Sequence, residues 1–149
     1  MRRGLAINRE QGFPLLLPPR EVALAEAEAS ADETDAGLRR LDLALAELKR
    51  TEQRWYEAEM HRIRAGILLR RDPADTAAAE RSLQTAIAVA QSQKARSFEL
   101  RAALSLAKLY RAANRDADAQ AVLAPVVEGF LPTQQFPELT EAQTLLSAL

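Results

Sequence analysis

The only histidine of the chain, His61, lies four residues after Glu57, a spacing that places both side chains on one face of a helix. A histidine beside a carboxylate can serve as a general base or as a metal ligand. No second histidine and no cysteine completes a metal-binding set in the sequence. We therefore interpret His61 as a residue of a helix surface or helix interface, and we predict neither a metal nor a cofactor.

Two pairs of acidic residues could suggest acid/base chemistry or a Ca²⁺ site, namely Asp72 with Asp75 and Asp116 with Asp118. Both pairs lie where helices are predicted to start, and negative charge is favoured at a helix N-terminus. The sequence contains no Gly-rich phosphate loop, no G-x-S-x-G elbow and no H-E-x-x-H. We predict that the chain is not an enzyme; a helical enzyme without a common motif is the alternative.

Charge and composition narrow the remaining classes of function. The 20 basic and 21 acidic residues are interspersed and give a net charge of −1, so bulk attraction to nucleic acid is not indicated. The densest apolar run near the N-terminus, residues 15–17, is stopped at once by Pro18 and Pro19 and is too short to span a membrane. We expect a cytoplasmic protein that does not contact a membrane.

The composition favours stacked helices. Thirty residues are alanine, the best helix former, and only five are glycine. Apolar residues recur at helical spacing between breakers. This pattern predicts a possible short helix at 2–10 and seven further helices at 20–31, 34–50, 54–70, 74–92, 96–113, 116–130 and 137–148.

Residues at the predicted helix ends support these divisions. Asp72 followed by Pro73 is typical of an N-cap and a first helical position. Pro137 opens the last helix, and Asn114 stands where a left-handed residue often ends one. Each connection between helices is therefore short.

The chain also aligns with itself. Leu24-Ala25, Arg64-Ala65 and Leu106-Ala107 are separated by 40 and then 42 residues, which indicates stacked supersecondary units. Small residues at fixed places in helix pairs resemble the tetratricopeptide (TPR) pattern. The resemblance implies an all-α fold, a TPR-like α-solenoid in one domain covering residues 1–149. Its units are 19–50, 54–92 and 96–131, followed by a capping helix at 137–148.

Three stretches carry a closer resemblance: residues 54–59 (RWYEAE), 95–103 (ARSFELRAA) and 123–126 (LAPV). They are similar to the C-terminal TPR-like region of large bacterial signalling proteins. In that family such repeats follow a P-loop ATPase module, often with a cyclase domain or a DNA-binding regulator. The resemblance implies a regulatory or scaffolding segment without an active site, and it implies that residues 1–18 are the remnant of a preceding repeat.

In TPR arrays the first helix of each pair lines a concave groove. Transferred to this chain, that arrangement predicts a largely basic groove which includes Gly66 and seven further residues. These are Glu59, Arg62, Arg70, Arg101, Leu104, Lys108 and Arg111. A basic groove favours an acidic peptide or another protein segment as partner.

Other interpretations concern the remaining surface. We expect Trp55 and Tyr56 to be buried between repeats, because a base-stacking role would need aromatic residues interleaved with basic ones. A nucleic-acid-contacting segment of a transcriptional regulator is the alternative to protein binding. Self-association through the truncated N-terminal end, near residues 15–17, is a further possibility.

The first prediction concerns helix contacts. Replacing Ala107 by Leu should overpack a close contact between helices and lower the free energy of unfolding by about 1–3 kcal/mol. Thermal denaturation measures this change. A melting temperature equal to that of the wild-type chain would contradict the TPR-like assignment of this position.

Overall fold

In the computed structural model, residues 17–149 are described, and they form seven α-helices and no strand. The helices are α1 (Leu17–Ser30), α2 (Thr34–Thr51), α3 (Glu57–Arg71), α4 (Thr76–Ser92), α5 (Arg96–Ala112), α6 (Asp116–Glu128) and α7 (Pro137–Ser147). The all-helical prediction is confirmed, with bounds that differ from the predicted ones by at most three residues. The possible helix at 2–10, residues 1–16 of the proposed remnant of a repeat and the side chains of residues 15–17 lie outside the described part, whereas residues 17 and 18 begin α1.

The junction between α3 and α4 differs from its prediction. Asp72 ends α3, because its backbone N–H donates to the carbonyl of Leu68 at 3.0 Å. Its carboxylate accepts a hydrogen bond from the N–H of Ala74 at 3.0 Å, which closes a tight turn. Helix α4 then begins at Thr76, so Pro73 lies in the turn and is not the first residue of the helix. The predicted N-cap role of Asp72 is wrong.

Four junctions contain a residue in the left-handed conformation, and none of these residues is glycine. They are Asp32, Glu52, Lys94 and Asn114, with φ values of 62°, 59°, 55° and 57°. The prediction for Asn114 is confirmed. The next N–H, that of Arg115, donates to the carbonyl of Tyr110 at 2.9 Å and satisfies a carbonyl in the last turn of α5.

Neighbouring helices pack as pairs, and alternate helices also meet. Each helix contacts the next along the chain, and α1, α3, α5 and α7 additionally contact one another in that order. No comparably extensive contact joins α2 to α4, or α4 to α6, among residues 17–149. The odd-numbered helices therefore form a continuous row. Side-chain contacts show that these helices run parallel. The last turns of α1 and α3 meet through Ser30 and Arg70, and the N-terminal half of α5 meets the first turns of α3 and α7 through Arg101.

Small residues permit the close approach of these helices. Ala25, Ala65 and Ala107, which the internal alignment placed at equivalent positions, are all buried in the core. Gly37 of α2 lies so close to α1 that an added Cβ would meet the carbonyl oxygen of Ala25 at 2.7 Å. Larger side chains fill the space on either side of these contacts. The largest that are fully buried and apolar are Leu41, Met60, Leu83, Leu100, Leu106, Leu123 and Leu139.

An ion-pair cluster also joins α1 to α2. The guanidinium of Arg40 makes a two-pronged contact with Glu28, with N···O distances of 3.0 and 2.6 Å, and it donates to Glu21 at 3.1 Å. The hydrogen bonds to Glu28 raise the pKa of Arg40 even further above its ordinary value. This planar double contact fixes the orientation of α1 on α2. The sequence analysis did not identify it.

The second prediction compares two glycines in helices. Gly37→Ala should destabilise the chain by about 1–3 kcal/mol, because the new methyl group would press on the backbone of α1. Gly66→Ala should stabilise it by about 1 kcal/mol, because no atom lies within 4 Å of the added Cβ and alanine favours the helix. Urea denaturation of the two variants measures both changes. Effects of the same sign would contradict the packing described here.

Candidate protein-binding surface

The row of odd-numbered helices presents a series of charged side chains, which we call the odd-helix face. It consists of Glu26, Glu59, Arg62, Arg70, Arg101, Lys108, Arg111, Glu138 and Glu141. Contacts or shared clefts link each of these residues to a neighbour on the face. The structure thus brings together six of the seven residues predicted to line the groove.

The seventh, Leu104, is not at the surface. It is 4% exposed and belongs to the apolar core, where it packs with Leu100 and Ala107 on the buried side of α5. Leu104 was predicted to line the groove because the TPR arrangement, transferred to this chain, assigned that position to the concave side. Leu104 instead belongs to the apolar stripe of α5 that packs into the core. The prediction that Leu104 lines the groove is therefore wrong.

Glu59 lies at the centre of the face, and its carboxylate is 4% exposed. Arg62 donates from Nε and Nη2 to the two carboxylate oxygens at 3.0 and 2.7 Å. Arg101, from the neighbouring helix α5, places Nη1 at 3.5 Å from the same group. Burial of Arg62 by itself lowers the pKa of this guanidinium, but the hydrogen bonds and charge of Glu59 outweigh that effect and raise it. The buried carboxylate of Glu59 thus contacts and positions the guanidinium of Arg62 on α3 and that of Arg101 on α5.

Helix α7 supplies acidic partners to α5. Arg101 also contacts Glu138, with Nη2 and Oε1 3.2 Å apart, and Lys108 forms an ion pair with Glu141. At the centre of the face, basic and acidic side chains therefore alternate in a series of ion pairs from α3 across α5 to α7, which we call the charge ladder. This arrangement corrects the expectation of a largely basic groove, because three of the predicted cations are matched by carboxylates.

Two cations remain outside this ladder. Arg70, in the last turn of α3, donates from Nη1 to the hydroxyl of Ser30 at 2.8 Å and makes no ion pair with any residue of 17–149. Arg111, in the last turn of α5, also has no ion-pair partner in that part of the chain. Both are exposed. On this face, the cations without an acidic partner among residues 17–149 therefore lie at the C-terminal ends of two parallel helices.

Two clefts open on the odd-helix face. One, of about 220 Å³, lies between α1 and α3, and the other, of about 530 Å³, lies between α5 and α7. Ile63, Gly66 and Ile67 line the first between Arg62 and Arg70. Leu145 and alanine residues line the second beside Lys108 and Arg111. Each cleft therefore combines an apolar lining with at least one cation that lacks an acidic partner.

The aromatic residues differ from their prediction. Trp55 is 42% exposed, because it lies in the turn before α3 and not on a packed helix face. The expectation that Trp55 is buried is therefore wrong. Tyr56 is half-buried, with its ring centroid 5.7 Å from that of Phe98 in an edge-to-face contact. Burial, together with the nearby charge of Glu59, raises the pKa of Tyr56. Tyr56 thus borders the odd-helix face.

His61 lies away from this face, in a contact between helices. Its Nε2 is 3.9 Å from Oε1 of Glu57, whose buried carboxylate also accepts hydrogen bonds from Arg54. The carbonyl of His61 accepts a hydrogen bond from the hydroxyl of Ser82 in α4 at 2.8 Å. No group of three or more potential metal-binding side chains occurs among residues 17–149. These contacts describe a helix-interface histidine.

Three of the four acidic members of the face were not predicted from the sequence. Glu26, Glu138 and Glu141 were not singled out, although Glu138 and Glu141 are three residues apart on α7 and so share one side of that helix. Their pairing depends on which helix lies beside α5, and spacing along one helix does not reveal that neighbour. The parallel row of odd-numbered helices supplies the missing information.

Comparison of the chain with protein-family models, with curated proteins and with solved structures finds no match. Within residues 17–149, no helix has the length and apolar character needed to cross a membrane. The odd-helix face itself combines apolar cleft linings with charged side chains at their edges.

The third prediction concerns the ionisation of His61. Burial lowers the pKa of this imidazole from its ordinary value of 6.5, and the charge of Glu57 only partly offsets the effect. Because the unfolded chain binds a proton more readily, the free energy of unfolding should decrease as the pH falls below about 6.5. NMR titration of the imidazole protons should give a midpoint below that of a free histidine.

His61→Gln provides the matched control for thermal denaturation at pH 7.5 and pH 5.5. The variant should lose less stability than the wild-type chain between these two values. A titration midpoint above 6.5 would show that the ion pair with Glu57 dominates and that the imidazole is not desolvated.

Proposed function

We propose that this chain is a non-catalytic protein–protein interaction module that binds a partner through its odd-helix face. Its fold class supports this proposal, since packed helix pairs commonly present extended surfaces for binding. The resemblance of three stretches to TPR-like regions of bacterial signalling proteins supports a TPR-like α-solenoid. It also supports a regulatory or scaffolding role within such a protein.

The observation that carries the proposal is the arrangement of two clefts on one face. Both lie between parallel odd-numbered helices, and both have an apolar lining beside an exposed arginine without an acidic partner in the described chain. Apolar contact area combined with charge at the edge is typical of protein recognition surfaces. The even-numbered helices, which lack comparable contacts with one another, are not joined into such a face.

The ion pairs on this face favour a protein partner over nucleic acid. Nucleic-acid binding depends on cations that neutralise phosphates, but Arg62, Arg101 and Lys108 already contact carboxylates. A protein segment can use apolar contacts in the clefts and needs few unpaired cations. The acidic peptide expected from the sequence therefore becomes a segment that is partly apolar and partly acidic.

The fourth prediction tests the face by pull-down from a bacterial lysate with quantitative mass spectrometry. The double variant Lys108→Gln, Arg111→Glu should lower recovery of a specific partner at least tenfold, because it removes positive charge beside the α5–α7 cleft. The matched control is Arg39→Gln, Arg81→Glu, which changes the charge equally at exposed positions of α2 and α4.

Circular dichroism should show that both double variants keep the helical content and melting temperature of a folded chain. The control variant should capture the same partner as the wild-type chain. Equal recovery by the wild-type chain and both variants would contradict binding through the odd-helix face.

A further inference from the structure

The cleft between α1 and α3 has an unusual centre. Gly66 is exposed in the middle of α3, where glycine weakens a helix, yet no atom lies within 4 Å of the Cβ that another residue would carry. Helix packing therefore does not require glycine at this position. Gly37, by contrast, is required by the carbonyl of Ala25. The absent side chain of Gly66 keeps the cleft open above Ile63 and Ile67.

Cations flank this opening on the same helix. Arg62 precedes Gly66 by four residues and Arg70 follows it by four, so all three lie along one side of α3. The two-pronged contact with Glu59 uses Nε and Nη2 of Arg62 and leaves Nη1 outside that contact. Arg70 uses Nη1 for Ser30 and keeps its other donors available. Both guanidiniums can thus donate to a ligand without losing these contacts.

The opposite wall of the cleft differs in charge. Glu26 of α1 is exposed, lines the same cleft and makes no hydrogen bond or ion pair with residues 17–149. The carboxylate of Glu26 accepts hydrogen bonds, and it lines the same cleft as the guanidinium donors of Arg62 and Arg70. A ligand that satisfies both walls must offer acceptors to Arg62 and Arg70, and N–H donors to Glu26. The backbone of an extended peptide offers such donors along its length.

The dimensions of the cleft also favour an extended ligand over a helical one. A volume of about 220 Å³ is too small for an entire helix, whose diameter with side chains is about 10–12 Å. Along α3, four residues rise by about 6 Å. In an extended strand, every second side chain points to the same side and recurs after about 6.6 Å. The spacing of same-side side chains in a strand therefore matches the spacing of Arg62, Gly66 and Arg70 on the helix to within about 1 Å over the distance from Arg62 to Arg70. Flexible side chains can accommodate a difference of this size.

From this match we infer that the α1–α3 cleft binds an extended segment of a partner protein with the pattern acidic–x–apolar–x–acidic. The two carboxylates contact Arg62 and Arg70, the apolar side chain enters the opening at Gly66, and Glu26 accepts backbone N–H groups. This inference rests on the proposed function, because it names the kind of partner segment that one part of the odd-helix face binds.

The fifth prediction uses two fluorescein-labelled peptides of identical composition. The first, Ser-Glu-Ser-Leu-Ser-Glu-Ser, has the inferred pattern, and the second, Ser-Ser-Glu-Leu-Glu-Ser-Ser, has adjacent acidic and apolar residues. Fluorescence anisotropy at physiological salt should show at least tenfold tighter binding of the first peptide to the wild-type chain. Equal affinity for both peptides would overturn the inferred register.

Variants of the chain locate the binding. Gly66→Leu fills the open space and should weaken binding of the first peptide at least tenfold, without lowering the melting temperature, because no atom obstructs the new side chain. Arg70→Ala should weaken it about tenfold. Arg81→Ala, the matched control at an exposed position of α4 away from the odd-helix face, should leave it unchanged. Equal losses for both arginine variants would show general charge attraction and would overturn the inference.

The same variants separate this inference from the proposed function. Partner capture that is lost with the Lys108 and Arg111 changes but kept with Gly66→Leu, together with no peptide binding, would leave the proposed function intact and reject the extended segment. Capture that persists in all variants, with no peptide binding, would reject both.

Discussion

The close approach of packed helices at alanine and glycine determines most of this structure. Ala25, Ala65 and Ala107 are buried in the core, and Gly37 brings α2 against the backbone of α1. Close contact brings the side chains beside it within reach of their neighbours. The carboxylate of Glu59 on α3 can therefore meet a guanidinium of α5, and Arg101 can in turn meet α7. A larger spacing between the helices would separate these partners.

Buried carboxylates position the charged side chains of the odd-helix face. A carboxylate taken out of water is costly unless it is paired and hydrogen-bonded, and Glu59 meets this requirement with two arginines. Glu57, two residues earlier, meets it with Arg54 and lies close to His61. The first turn of α3 thus holds two buried acids that point to different neighbours. One contributes to the odd-helix face, and the other belongs to a contact between helices.

The sequence predicts the helices well because their signals are local. Apolar spacing and breakers predicted seven helices whose bounds lie within three residues of the observed ones, and Asn114 marked a left-handed residue. Features that depend on which helices lie next to each other were predicted less well. Leu104 was assigned to a surface that it does not reach, and Trp55 was expected to be buried although it lies in a turn. Glu138 and Glu141, which pair with Arg101 and Lys108, come from a helix more than thirty residues away.

The parallel direction of the odd-numbered helices has an electrostatic consequence. Their dipoles point the same way, so positive ends gather at one edge of the row and negative ends at the other. Acidic residues occupy the first turns of α3, α5 and α7, and arginines occupy the last turns of α3 and α5, as these dipoles favour. The two edges of the face are therefore chemically distinct. A segment bound along this face, as proposed above, would therefore meet a different environment when its chain direction is reversed.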